Sequence, residues 1–294
     1  LKDDMPWAEK GFVTAEEQIL LQEAMARPSI SAVTASAGKV KLDKSDTSIK
    51  TVSGDGFVAK FDMETGTIYS LAYGGKTIIT DGNGPKLDAL RAFTNNDNWF
   101  YSQWFEHGLH NLQHRATNST VLERNDGTVV LAFTVESQAP NGAKIKGGTS
   151  TGKNSIEELT DRRFGENDFK FTTNQIWTVY PDGSVELQSS ITSNRPSLVL
   201  PRLGYVMKIP QQYADFTYYG RGPIDNYADR KSGQFIEQYT NTVAGEFVNF
   251  PKPQDMGNHE DVRWCALTNQ AGNGAVFVAT DRLSASALQI GRAH

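Results

Sequence analysis

Cysteine is almost missing: Cys265 is the single one in 294 residues. That excludes an internal disulfide and any metal site built from several thiolates. It sits in the run Val262-Arg263-Trp264-Cys265-Ala266-Leu267 and reads as a buried structural thiol. No apolar run approaches the ~20 residues that a membrane-spanning helix needs. Positive charge is not in excess, with 29 Lys and Arg against 34 Asp and Glu for a net charge of -5. This argues against nucleic acid as the main partner. A phosphate loop is missing too. Gly147-Gly148-Thr149-Ser150-Thr151-Gly152-Lys153 lacks both the required spacing and a following apolar helix, so it reads as a flexible connection between strands. No methionine or signal peptide opens the chain, which starts Leu1-Lys2-Asp3-Asp4 and is expected to be cut from something longer.

What is present suffices for a core: 38% hydrophobic residues, 10% of the chain being aromatic. The length is large for one domain but ordinary for an all-β sandwich. Residues 1 to about 30 carry Trp7, Phe12-Val13 and Ile19-Leu20-Leu21. They fit two short strands around a polar turn, or a single amphipathic helix over 15–24. Residues 28 to 48 are rich in Ser, Thr, Ala and Lys and read as a linker or exposed ribbon. Strand-like text begins at Ile49, with Phe57 to Asp62 and Ile68 to Leu71 alternating about the turn Glu64-Thr65-Gly66-Thr67. Further strands are expected over Thr128–Glu136, Phe169–Tyr180, Ser184–Thr192 and Gly274–Thr280. Pro181-Asp182-Gly183-Ser184 turns one hairpin. Trp99 to Phe105 is compatible with a helix. On a helix His107, His110 and His114 would share a face, but without a rigid further ligand they read as a surface cluster.

One stretch stands out, from Leu200 to Trp264. It contains Tyr218-Tyr219-Gly220-Arg221-Gly222-Pro223-Ile224-Asp225-Asn226-Tyr227-Ala228-Asp229-Arg230, and then Asn258-His259-Glu260-Asp261-Val262-Arg263-Trp264. Aromatic faces stack on the apolar faces of sugar rings, and planar Arg, Asp and Asn groups hydrogen-bond hydroxyls. The structural alternative is a tight turn at Gly220, Gly222 and Pro223 with Tyr219 and Tyr227 packed inside.

The stretch resembles the small-chain, C-terminal region of the large β-galactosidases of glycoside hydrolase family 2. The family pattern G-x-G-P-x-E/D-N-Y-x-D-R runs unbroken here from Gly220 to Arg230, and Pro253-Gln254-Asp255-Met256-Gly257-Asn258 leads into a second block. Leu90 to Trp99 resembles the family's R-A-P-x-D-N-D segment, with Phe93 and Thr94 where proline is usual and Asn95 where Asp is frequent. The resemblance implies an all-β fold, an antiparallel β-supersandwich similar to galactose mutarotase. It implies that residues 1–30 end an immunoglobulin-like β domain and favours strands over a helix there. Residues 31–48 would then be a linker and residues 49–294 the sandwich, short of the family's last strands and with unpaired strand edges.

The resemblance further implies a parent enzyme that hydrolyses terminal β-D-galactosides with retention. Retaining glycosidases use two carboxyl groups about 5–5.5 Å apart. In the family both catalytic glutamates lie in an upstream TIM barrel, so no catalytic residue is expected in this chain; Glu157-Glu158 are neighbours that point apart. The carbohydrate-binding or site-shaping candidates are Arg91, Asn96, Asn98, Trp99, Arg202, Tyr219, Arg221, Asn226, Tyr227, Asp229, Arg230, Asn258, His259, Asp261, Arg263 and Trp264. Several of the arginines and carboxylates are expected to pair and hold loops in place. No cofactor is expected in this chain, although the family often uses Mg and Na ions bound mostly elsewhere. The expected partners are a galactoside-type carbohydrate, upstream domains of the same chain and, as in many family members, further copies of itself. Two other readings stay open: an independent carbohydrate-binding module, and a mutarotase-like isomerase, which needs an acid and a base converging on one sugar.

Overall fold

Alternating apolar residues decide the architecture. The computed structural model describes residues 1–21, 38–146, 155–252 and 254–289, and their regular structure is almost entirely antiparallel strand. They form two compact units, one of residues 29–210 and one of residues 1–28 with 211–294.

In the first unit a meander joins β1 (Lys41–Asp43), β2 (Ile49–Gly54), β3 (Phe57–Asp62), β4 (Thr67–Tyr73) and β5 (Lys76–Ile79) into a five-stranded sheet. Phe57, Ala59 and Phe61 are buried while Val58 and Lys60 face water, the two-residue period of a half-buried strand. β6 (Lys86–Asp88) follows, then a 3-10 turn (Asn95–Trp99) and α1 (Tyr101–Glu106). Next come β7 (Gln113–Glu123), β8 (Val129–Gln138), β9 (Ala143–Lys146), β10 (Ser155–Glu158), β11 (Phe171–Val179), β12 (Val185–Ser193) and β13 (Gly204–Val206). A second sheet is ordered β12-β11-β8-β7; β9 pairs with β10, and β6 with β13.

The two larger sheets of this unit face each other. The Phe61 and Trp177 rings meet edge to face at 5.8 Å, and Trp177 Nε1 donates to the Gly66 carbonyl at 3.1 Å. Gly66 has φ +71, and a Cβ there would come within 2.6 Å of Val135. Only glycine satisfies both the left-handed turn and this close approach. The 181–184 hairpin forms as expected, with Asp182 Oδ1 accepting from Ser184 N–H at 2.9 Å.

In the second unit β14 (Asp215–Gly222), β15 (Phe235–Thr242), β16 (His259–Thr268) and β17 (Gly274–Ala285) form a sheet ordered β15-β14-β16-β17. Phe216, Tyr218, Val262 and Ala287 make its buried cluster. Cys265 packs at that cluster, where burial pushes its thiol pKa up to about 11.

Several expectations need correction. Over residues 1–21 neither the expected strands nor the helix is present, and one isolated bridge joins Met5 and Ala8; the rest of that segment, residues 22–30, lies outside the described residues. Trp7 and Ile19 to Leu21 remain exposed, so no buried face organises them. Strand structure begins before Ile49, because Lys41–Asp43 already pairs with β2. The three histidines share no helix face. Gly108, at φ +73, follows immediately after α1 and its cap His107, and His114 already belongs to β7. Nor are they a surface cluster: His107 lies against Phe169, the His110 side chain is 10% exposed, and His114 pairs with Ser137. Glu157 and Glu158 lie on β10 rather than in a loop, though they do point apart, to Lys146 and to His110. The glycine-rich run 147–153 lies outside the described residues.

Candidate functional site

Two groups of the candidate residues gather, one in each unit. In the first unit Ala89 is fully buried beyond β6 and anchors the chain before Arg91. The Arg91 guanidinium holds Asp97 with both forks, Nη1 to Oδ2 at 2.6 Å and Nη2 to Oδ1 at 3.0 Å. Its Nε donates to the Pro201 carbonyl at 3.1 Å, and the group lies over the Trp104 ring at 6.0 Å. Trp104 is 1% exposed and donates from Nε1 to the Val199 carbonyl at 2.8 Å. Asp97 also accepts from Thr94, from N–H at 2.6 Å and from Oγ1 at 3.1 Å. Thr94 and Asp97 therefore close the first turn of the 3-10 segment as a capping pair. Burial works to raise the Asp97 pKa, but the Arg91 and Thr94 hydrogen bonds and the Arg91 charge outweigh it and hold the carboxyl below its ordinary 3.8.

This fixed turn points Asn96 and Asn98 outward and leaves Trp99 85% exposed. Arg202 pairs with Asp88 of β6. An exposed indole on a clamped turn, beside two exposed amides, can stack on a sugar ring and hydrogen-bond its hydroxyls.

In the second unit the glycine–arginine motif is strand, not turn. Gly220 and Gly222 belong to β14. A Cβ on Gly220 would come within 2.7 Å of Val262, and one on Gly222 within 2.4 Å of the Tyr218 hydroxyl. The glycines thus let β14 pack flush against its neighbours. Arg221 pairs with Asp261 and donates from Nη1 to the Gln234 carbonyl at 2.9 Å. Asp261 takes φ 53. Burial works to raise its pKa, but the Arg221 hydrogen bond and nearby cations lower it overall.

Asn226 is 0% exposed, and its side chain is fully engaged. Nδ2 donates to the carbonyls of Arg221 at 3.0 Å and Ile224 at 2.9 Å, and Oδ1 accepts from Glu260 N–H at 2.8 Å. Asn258 Nδ2 returns a hydrogen bond to the Asn226 carbonyl at 2.7 Å. His259, also 0% exposed, pairs with Glu246 at 2.6 Å and stacks on Tyr218 at a centroid distance of 4.1 Å. Asn226 and His259 therefore staple the 223–230 and 246–260 segments to the sheet and offer nothing to a solvent-borne ligand. Arg230 bridges to Asp225 at 3.1 Å and covers the Tyr227 ring at 5.5 Å.

What remains open lies on the outer face of the sheet and on the 223–230 loop. Gln238, Tyr219, Trp264 and Val278 stand directly opposite one another across four strands. The Arg263 guanidinium lies over the Tyr219 ring at 5.7 Å. Tyr219, at 39% exposure, thus faces outward instead of packing inside. Asp229 is exposed as well.

Residues 53–293 match the family described as "Beta galactosidase small chain". The chain belongs to the β-galactosidase small-chain family. It is 25% identical to the β-galactosidase of Priestia megaterium over 98% of its own length and 25% of that protein. With that of Halalkalibacterium halodurans identity is 27% over 93% of this chain and 24% of the relative, and with that of Kluyveromyces lactis 26% over 82% and 21%. The small chain thus spans about a quarter of the length of the curated relatives it matches.

Among its described residues no group of three or more His, Cys, Asp or Glu is arranged to hold a metal ion, and no helix is long and apolar enough to cross a membrane. Sequence reasoning missed Asp97, Trp104, Asp88 and Glu246 as the partners that position the candidates. Thr94-x-x-Asp97 is a capping signature that could have revealed the first. The other three are long-range pairings that carry no local signal.

Proposed function

We propose that this chain is the non-catalytic small-chain part of a β-galactosidase, supporting and shaping the sugar site of a parent enzyme that hydrolyses terminal β-D-galactosides with retention. The Arg91–Asp97 clamp carries the reading, because it presents Trp99 with Asn96 and Asn98 from a turn that cannot easily relax. Trp99 offers a stacking face, the two amides offer hydrogen bonds, and Arg91 positions them through Asp97. Bond cleavage falls to carboxyl groups supplied by upstream domains, to which the small chain is joined in its relatives. Residues 1–21 serve as the approach from those domains.

The test exchanges the corresponding segment of the Priestia megaterium β-galactosidase for this chain and follows hydrolysis of a chromogenic galactoside. The isolated chain is expected to be inactive and the chimera active. Trp99→Ala in the chimera should raise KM roughly threefold to tenfold, the worth of one aromatic stacking contact. Turnover by the isolated chain, or an unchanged KM in the Trp99→Ala chimera, overturns the reading. The buried His259–Glu246 pair has no face open to a sugar, so it does not supply the acid and base of a mutarotase-like isomerase.

A further inference from the structure

β15 is the last strand of its sheet, paired with β14 on one side only. An edge strand turns an N–H and a C=O outward at every second residue, a template on which another extended chain can pair. At Ile236 that outward pair is occupied. Its N–H donates to Gln18 Oε1 at 2.8 Å, and its C=O accepts from Gln18 Nε2 at 3.0 Å.

A carboxamide carries a donor and an acceptor side by side, as a peptide group does, so one side chain replaces one rung of a neighbouring strand. This is not a local turn, because the two residues are 218 positions apart. The chain around Gln18 has no helix or strand, and Phe12, Val13, Ile19, Leu20 and Leu21 are exposed. Apolar burial therefore does not fasten this part of the arm; the amide pair does. The far end of the same edge is closed in a similar way. The Thr242 N–H donates to Asn241 Oδ1 at 2.8 Å, and its C=O accepts from the Gly245 N–H at 2.8 Å. By alternation two outward rungs are left between these stops, at Gln238 and Thr240, and no other described segment pairs with them.

We propose that Gln18 is an edge stop: it docks the arm on β15 and keeps that edge from pairing antiparallel with β15 of a second copy. With both stops in place, two rungs are too few to hold another strand. With Gln18 removed, a longer free edge is exposed to its own symmetry mate, the self-complementary pairing of a two-fold dimer.

Gln18→Ala tests this without touching the core. Hydrogen exchange at the Ile236 amide should become about threefold to tenfold faster, the worth of one hydrogen bond. In sedimentation equilibrium the mass of Gln18→Ala should rise with concentration toward that of a dimer while the original chain stays monomeric. Adding Thr240→Pro, which removes an outward rung that an edge strand can lose, should return the variant to monomer. Equal exchange at Ile236 in the two proteins overturns the proposal. So does a Gln18→Ala protein that stays monomeric, an original chain that associates as strongly, or association that survives Thr240→Pro.

Discussion

Replacing Asp97 with Ala should release the turn that carries Trp99. The carboxylate receives both forks of Arg91 and two bonds from Thr94. The Arg91 and Asp97 side chains are only 18% and 12% exposed. Fully exposed ion pairs contribute about 0–1 kcal/mol, whereas breaking a buried one costs about 3–5 kcal/mol. This pair lies nearer the buried limit, so Asp97→Ala is expected to cost about 3 kcal/mol. Asp97→Asn retains one acceptor and should cost less, about 1–2 kcal/mol.

Urea unfolding of Asp97→Ala, Arg91→Ala and the double variant gives the coupling energy, expected at about 2 kcal/mol. The sign with pH follows from the depressed Asp97 pKa. The stabilisation is fully present above the ordinary carboxylate value and disappears as pH falls through the lower folded value. A coupling energy below about 0.5 kcal/mol, or an Asp97→Ala variant whose stability keeps the same acid dependence, would refute the clamp.

Two further outcomes are expected. Gly220→Ala should destabilise the second unit by about 1–3 kcal/mol in thermal unfolding, because the new Cβ meets Val262 side chain and backbone at 2.7 and 3.0 Å; a neutral result would show that β14 shifts freely. Burial and the Lys86 charge lower the His114 pKa to about 4. The folded state therefore holds this ring neutral while the unfolded chain begins to take up a proton near 6.5. Its share of stability is complete above 6.5 and is lost as pH falls toward 4. His114→Asn should flatten that slope in denaturation measured between pH 7 and pH 4, and an unchanged slope would contradict it.

How much was legible in the sequence depended on the range of the interaction. The alternation of Phe57, Ala59 and Phe61 and the Asp182-Gly183 turn act over two to four residues, and both formed as expected. Residues 1–21 went wrong because a short apolar pattern indicates strand or helix only when another surface buries it. Gly220 and Gly222 were ambiguous for the same reason: a glycine that opens a turn and one that admits a neighbouring strand look alike until the neighbour is known. The sequence alone determined an antiparallel all-β chain and the chemical character of its polar motifs. Tertiary structure alone decided which of those groups face water. Asn226 and His259 became internal staples while Trp99 and Tyr219 stayed exposed, because the partners that close off the first two, Asn258 and Glu260 for Asn226 and Glu246 and Tyr218 for His259, are brought up by the sheet and not by neighbours in the chain.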